Sequence, residues 1–404
     1  MKILYFGTFC DYDKYKEILD NSRVKPSAAP FVFEGELISG FAKNKADVEV
    51  FSFPSIAAFP KSSTLFIKSH NTVLNQGYNS TWIPAINISG IKQFCQRFFS
   101  RKMLNKWLKD NSAEEKAVLI YSIYQPIAKS IVSICKKQNI PCFAIVPDLP
   151  GDMYSNSKIS PIKKFFTGFY LRAAEKIQSG FDGYIYLTEY MKDIINNDAP
   201  YTVVEGISGD FDFDSAEKED SFIIMYAGAL SEKMGVKTLL KSFSRLKSDN
   251  VRLWLFGGGD CETDIKIASD KDSRIDFFGF MDRAEILRRE SRASLLVNLR
   301  DPSEEYTKYS FPSKTLEYMM SGTPLLTTKL RGIPSEYFNY CFTLEDGSVD
   351  SVTKKLKEII SLPAEELSTL GQRAKEFVKE NKNALTQSKK ILGFISDTVK
   401  ERFQ

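Results

Sequence analysis

The sequence predicts an α/β chain of two successive doubly wound domains, each Rossmann-like. Three observations carry this. At 404 residues the chain exceeds what one ordinary core organises. Short apolar runs ending at glycines or turns alternate with helical patterns, the sign of a parallel sheet covered by helices on both faces. The alternation then stops at a polar, acidic stretch, residues 206–221, and starts afresh. The expected layout is a first domain over 1–205, a linker over 206–221 and a second domain over 222–383. A closing helical segment, 384–404, packs on the second domain or crosses back to the first. Ligands of such folds bind at the carboxyl ends of the strands, so two units facing each other predict a site in the cleft between them.

The elements follow in order. Residues 2–6 read as a buried strand that stops at Gly7, with a helical pattern near Phe33–Ala42 and a strand near Val48–Phe51. Val118–Ser122, Cys142–Val146 and Tyr184–Leu187 are further short apolar runs, separated by helical patterns at Pro126–Lys137 and Ile162–Ile177. After the linker, Phe222–Ala227 is a strand ending at Gly228, Val236–Leu246 is helical, and Val251–Phe256 is a strand ending in Gly257-Gly258-Gly259. Ile275–Phe278, Leu295–Leu299 and Pro324–Thr327 complete the second set of strands.

Composition excludes several function classes. The apolar fraction is 43%, the charged fraction 26% and the net charge only +4, without the concentrated basic and aromatic stripe of a nucleic-acid binder. The six cysteines, at 10, 95, 135, 142, 261 and 341, form no CxxC, and His70 is the only histidine, so neither a zinc site nor a disulfide framework is expected. Asp210, Asp212 and Asp214 alternate, but Ser215 and Ser221 stand where a calcium loop needs Gly and Glu; no metal is expected. The opening Met1–Phe6 run is too short for a signal-peptide core, and no stretch approaches the roughly 20 apolar residues of a membrane span. A cytoplasmic protein, with or without contact to a membrane surface, is the expectation.

Three segments carry chemistry. In Tyr309-Ser310-Phe311-Pro312-Ser313-Lys314-Thr315-Leu316-Glu317, Ser313 is placed to cap a helix that Gly322 closes before Pro324. A helix start beside Lys314 suits an anion, and Glu317, about one turn on, is placed to accept hydrogen bonds from hydroxyls. In Gly228-Ala229-Leu230-Ser231-Glu232-Lys233-Met234-Gly235, a small-residue turn between strand and helix lets backbone approach a ligand. Gly257-Gly258-Gly259 fails as a dinucleotide fingerprint because Glu262 replaces the third glycine.

Together these segments resemble glycosyltransferase family four, retaining enzymes of the GT-B fold. Phe311, Pro312, Lys314, Glu317, Gly322 and Pro324 match its donor signature in a variant with Phe-Pro-Ser-Lys. The resemblance implies that Glu317 holds the donor ribose, and that Ser313, Lys314 and Lys233 face the diphosphate. Gly228, Ala229, Gly257 and Gly259 would line the nucleotide. The family's first signature Glu falls on Tyr309, with Glu304 and Glu305 nearby, and its usual Arg after Gly228 is Ala229. In the first domain, Gly7, Glu34 and Gly35 fall in the region of the acceptor-side loop. Asp148 falls near where relatives place a reacting-centre His or Asp, though an acid there also reads as a turn residue. Asp148, Lys233 and Tyr309 are thus the candidate catalytic positions. The implied reaction moves a hexose from a UDP- or GDP-sugar to a glycan hydroxyl, with no cofactor required. A non-catalytic donor-binding relative, motivated by Tyr309, and an epimerase of the same fold are the alternatives.

Two basic, aromatic stretches suggest an anionic membrane surface. Over 91–109, Lys92, Arg97, Arg101, Lys102, Lys106 and Lys109 accompany Ile91, Cys95, Phe99, Met103 and Trp107 at every fourth position, beside Phe94 and Phe98. Residues 158–172, with Lys163-Lys164-Phe165-Phe166, repeat the character. The family resemblance implies a lipid-linked acceptor in bacterial capsule, exopolysaccharide or O-antigen assembly, which such surfaces would suit; the alternative is that each apolar face is core and its cations are solvated.

Overall fold

The computed structural model describes residues 1–149, 177, 179–196, 198–209 and 217–403. They form two compact units, Met1–Ile207 with Ala384–Gln404, and Ser208–Asn383.

The first unit is built on β1 (Lys2–Gly7), β2 (Asp47–Ser52), β3 (Phe66–Ile67), β4 (Asn71–Val73), β5 (Asn79–Trp82), β6 (Ala85–Ile86), β7 (Lys116–Tyr121), β8 (Cys142–Val146), β9 (Gly183–Tyr186) and β10 (Tyr201–Val203). Eight of these form one sheet in the order β10-β9-β8-β7-β1-β2-β5-β4, parallel except where β4 meets β5. β1, β7 and β8 are buried on both faces, which is why they read as continuous apolar runs. The chain leaves β1 for β2 on one side and later returns to β7 on the other, making a topological switch point at β1/β7.

The closing helix, Ala384–Phe403, packs in this first unit. Ile391, Ile395 and Val399 join Leu37, Ile38 and Phe41 of the helix Ala28–Lys43 in one core. Gly40 makes the approach possible, since a Cβ there would lie 2.2 Å from the Ala384 carbonyl oxygen. Asn44 Nδ2 donates to Leu385 O and Ser388 Oγ, both at 2.9 Å.

Some elements differ from expectation. The helix expected from Phe33 starts at Ala28, because Ser27 accepts from Ala29 N and Pro30 suits a first turn. Residues 59–88 hold the small strands β3 to β6, too short to show a period. The helix Ile91–Asp110 does not turn its every-fourth-residue stripe outward: Trp107 is buried and donates Nε1–H to Glu49, 2.8 Å away, while Cys95, Phe99 and Met103 are half-buried. The exposed aromatics are instead Phe94 (71%) and Phe98 (55%). Lys92 leaves the basic face, with its Nζ donating to Ile56 O; burial lowers its ammonium to about 8. The basic stretch 158–172, most of the helical pattern Ile162–Ile177, and Asp210, Asp212 and Asp214 lie outside the described residues.

The second unit is a six-stranded parallel sheet in the order β13-β12-β11-β14-β15-β16. Its strands are β11 (Phe222–Ala229), β12 (Val251–Gly258), β13 (Ile275–Gly279), β14 (Leu295–Asn298), β15 (Leu325–Thr328) and β16 (Phe342–Leu344). Val236, Leu239, Leu240 and Phe243 cover one face of the sheet with Val352 and Leu356. Leu316, Met319, Ala374 and Phe377 join the core that includes Ile223, Met225 and Leu296. The switch point falls between β11 and β14. Among the described residues, no helix is long and apolar enough to cross a membrane.

Candidate functional site

The loops that leave β11 and β12 are locked together. Gly228 pairs with Gly257 in the strand register. A Cβ on Gly257, where φ is +116°, would lie 2.0 Å from Gly228 O, and one on Gly259 would lie 2.4 Å from Leu230 O. Leu230 N donates to Gly258 O, and Cys261 N donates back to Leu230 O. Gly257 and Gly259 therefore serve the close approach of two backbones. Gly235, with φ +79°, brings the start of the helix Val236–Phe243 against the end of the β14 segment; a Cβ would meet Leu299 O at 2.0 Å. Lys233 is exposed on this turn, its carbonyl accepting from Tyr306 Oη at 3.3 Å and its Nζ 6.0 Å from the Tyr306 ring.

The 309–324 segment is built from the core outward. Phe311 is buried, its ring 5.5 Å from that of Tyr337, so it anchors the segment. The helix covers only Lys314–Met320, and Ser313, itself helical at φ −52°, makes no side-chain cap bond; Thr315 N donates to Pro312 O instead. The capping expected of Ser313 is thus not made, because Pro312 already supplies the turn. Tyr309 Oη lies 3.4 Å from Glu305 Oε1, and Lys308 also pairs with Glu305. A carboxylate therefore stands beside Tyr309, brought by the 3₁₀ turn Glu305–Lys308.

Glu317 lies in a four-membered cluster. Lys314 pairs with it across one turn, and Arg283, on the helix Arg283–Arg292, reaches it at 3.2 Å. Lys314 and Glu317, which the sequence suggests would face a diphosphate and a ribose separately, are paired with each other. Beneath them Glu290 is fully buried, with Lys314 Nζ 3.8 Å away and neither oxygen receiving an N–H or O–H hydrogen bond. Burial, then the charge of Glu317, drives the Glu290 carboxyl well above its ordinary range. Against its own burial, Glu317 is held below its ordinary value by Lys314, Arg283 and a hydrogen bond from Glu290. The two carboxyls are thus pushed apart in titration, Glu290 upward and Glu317 downward. Sequence reasoning missed both Arg283 and Glu290, since an Arg-Arg-Glu-Ser-Arg run reads as a solvated helix face. The one available signal is that Glu290 follows the half-buried Ile286 and Leu287 by four and three residues on its helix.

In the first unit, Glu34 turns inward. It accepts from Tyr5 Oη at 2.8 Å, from Thr8 N at 2.8 Å and from Thr8 Oγ1. Burial pushes its carboxyl up to about 7, against the hydrogen bonds from Thr8, Tyr5 and Phe9 N. A Cβ on Gly7 would lie 2.0 Å from Glu34 Oε2, and one on Gly35 would lie 2.9 Å from the Phe9 ring. Gly7, Glu34 and Gly35 therefore hold the first loop in place, and Glu34 is shielded from solvent. Asp148 is exposed just beyond β8, close enough for its charge to raise the Tyr121 phenol, which burial raises most. A hollow beside the same loop is lined by Thr8, Cys10, Tyr15, Pro30, Phe31 and Ser55.

Residues 208–377 match the family described as Glycosyl transferases group 1. No curated protein matches the chain by sequence. Among solved structures, HepE of Anabaena in complex with UDP-glucose superposes with a TM-score of 0.57 at 16% identity, over 98% of this chain and all (100%) of that one. Sucrose-phosphate synthase from Thermosynechococcus elongatus gives 0.66 at 13% identity, over 99% and 100%. The lipopolysaccharide outer core galactosyltransferase WaaB gives 0.60 at 15%, over 98% and 99%. These likenesses give both units the GT-B fold. With the matched donor segments inside them, residues 208–377 match the group 1 glycosyl transferases, the nucleotide-sugar-dependent, retaining family the chain resembles in sequence.

Proposed function

We propose that this protein transfers a hexose from a UDP- or GDP-sugar to a hydroxyl of a growing lipid-linked glycan, with retention, in cell-surface polysaccharide assembly. The observation that carries the donor site is the Glu317 cluster: a largely buried, ionised carboxylate flanked by Lys314 and Arg283 at the edge of the second sheet. An ionised carboxylate accepts from both hydroxyls of a ribose, and Lys314 is then released to the diphosphate. HepE, solved with UDP-glucose, and WaaB, an outer core galactosyltransferase, support this substrate class.

The chemistry follows from positioning. The bond from the anomeric carbon to the diphosphate oxygen breaks as the acceptor oxygen bonds to the same face of that carbon, and the acceptor proton passes to the departing diphosphate. Cations stabilise the charge that grows on that diphosphate. On this reading Tyr309, with Glu305 beside it, takes the part of the single signature carboxylate, and Asp148 acts from the acceptor-binding unit.

Thermal unfolding with UDP, GDP and NAD tests the donor site. Either UDP or GDP raises the melting temperature, and Glu317→Ala removes most of that rise and lowers turnover by about a hundredfold. An unchanged response in Glu317→Ala takes this residue out of the site.

Membrane contact at the cytoplasmic face is the second part of the reading. Its support is a continuous exposed apolar surface on the first unit, wider than the helix alone. Phe66 pairs with Ile86 between β3 and β6, Phe59 bridges to Ile88, and Ile91, Phe94 and Phe98 continue along the helix, all exposed. Arg97, Arg101, Lys102 and Lys106 are exposed around it. Phe94→Ser with Phe98→Ser is expected to release the protein from vesicles containing phosphatidylglycerol; co-sedimentation equal to that of the unaltered protein removes this face from the reading.

A further inference from the structure

At the switch point of the second unit, the residues that follow β11 and β14 meet. Gly235 rests on Leu299 O, so the turn carrying Lys233 and the segment carrying Arg300 stand back to back. Arg300 is fixed there by its own carbonyl, which accepts from Thr328 Oγ1 at 2.6 Å at the end of β15. Two phenols frame the place. Tyr226 Oη donates to Ala229 O at 3.0 Å, and Tyr306 Oη donates to Lys233 O.

Arg300 is unusual among the cations of this chain. Its Nε is sealed from solvent and has no hydrogen-bond partner. The groups whose charge acts on it are the Tyr306 and Tyr226 phenols, and burial lowers its guanidinium below the usual range. The neighbouring acid is engaged elsewhere: Asp301 Oδ1 accepts from Ser303 N and Oγ. A half-buried guanidinium whose sealed Nε has no partner and which meets no carboxylate is costly unless an anion completes it. Open α/β sheets bind ligands at this switch point, and the flanking Gly228 and Ala229 bring no charge of their own.

We propose that Arg300 is a diphosphate-binding residue, forming with Lys233 a two-cation seat at the β11/β14 switch point. This rests on the donor-site reading above and names which side chain of that site meets the phosphates. A guanidinium presents a planar fork that grips two phosphate oxygens at once, while the exposed Lys233 ammonium adds a mobile point charge.

The test compares UDP and GDP with uridine and guanosine, each titrated into unaltered protein, Arg300→Ala, Arg300→Lys and Glu317→Ala, with binding followed by calorimetry for the diphosphates and by NMR line broadening for the nucleosides. Arg300→Ala is expected to weaken binding of the diphosphate by about tenfold or more, leaving nucleoside binding within about twofold of unaltered. Arg300→Lys, which keeps the charge and loses the fork, is expected to fall between, and carries the test if Arg300→Ala fails to fold. Equal losses for diphosphate and nucleoside, or a lowered melting temperature with diphosphate affinity retained, overturn the proposal and make Arg300 a fold residue. If Glu317→Ala weakens diphosphate binding while both Arg300 variants do not, the proposal falls and the donor site stands. If neither diphosphate binds the unaltered protein, both fall.

Discussion

The first turn of each sheet leaves its strand at a switch point, Gly7–Phe9 at β1/β7 and Gly228–Leu230 at β11/β14, yet the two turns are furnished in opposite ways. The first is closed on itself. Glu34 reaches under it and accepts from Tyr5, Thr8 and Phe9, so its polar atoms are spent on the fold. The second is open. Arg300 beside it has a buried nitrogen with no partner, and Lys233 is exposed. The same architecture thus makes one turn a rigid wall and the other a site with unspent charge. Satisfied polar groups specify a conformation, and unsatisfied ones mark where a ligand contributes.

This comparison can be broken at the closed turn first, where the largest effect is expected. Glu34 has its carboxyl raised from 4.5 to about 7, so its protonated form favours the fold. That contribution is complete below about pH 4.5 and is lost as pH rises through 7, by about 3 kcal/mol. Thermal unfolding of Glu34→Gln, followed from pH 5 to 8, is expected to lack this loss, gaining on the unaltered protein until the curves run parallel above pH 7. Parallel curves throughout would mean that Glu34 is ionised in the fold at all these values. A smaller effect is expected at the open unit. Glu290→Gln keeps the shape and an N–H donor toward Glu317, so nucleotide affinity near neutral pH changes by less than about threefold. As pH rises far enough for Glu290 to ionise against Glu317, the unaltered protein loses affinity while the Gln variant holds. Identical profiles would separate Glu290 from the donor site.

How much of this was legible in sequence depended on distance along the chain. Parallel strands such as Cys142–Val146 are apolar at every residue because both faces are covered, and their glycine ends mark the turns. The donor segment was legible because Phe311, Lys314 and Glu317 lie within one helical turn or two of each other. Strands β3 to β6 were not, since two to four residues carry no period. Glu290 and Arg300 were invisible for a different reason. Each looks like an ordinary surface charge until the fold packs other groups around it: Glu317 and Lys314 over the first, Tyr226 and Tyr306 around the second. Glu34 was singled out in sequence as opening a helix, but only the fold shows it inside the helix Ala28–Lys43 and pointing inward. In Ile91–Asp110 the every-fourth-residue stripe turned inward at Trp107, whose indole N–H finds Glu49 on β2, while the neighbouring Phe94 and Phe98 stayed outside.

The placement of the helix Ala384–Phe403 has a consequence for the order in which the protein is made. The second unit is an uninterrupted insert whose two ends lie side by side, Ser208 N donating to Lys382 O at 2.7 Å. All of it is synthesised before the closing helix. The first unit, begun earlier, must wait for Ile391, Ile395 and Val399 to cover Leu37, Ile38 and Phe41. During that interval the apolar face of the helix Ala28–Lys43 is uncovered, so the N-terminal half of a nascent chain is the part exposed to aggregation or chaperone capture.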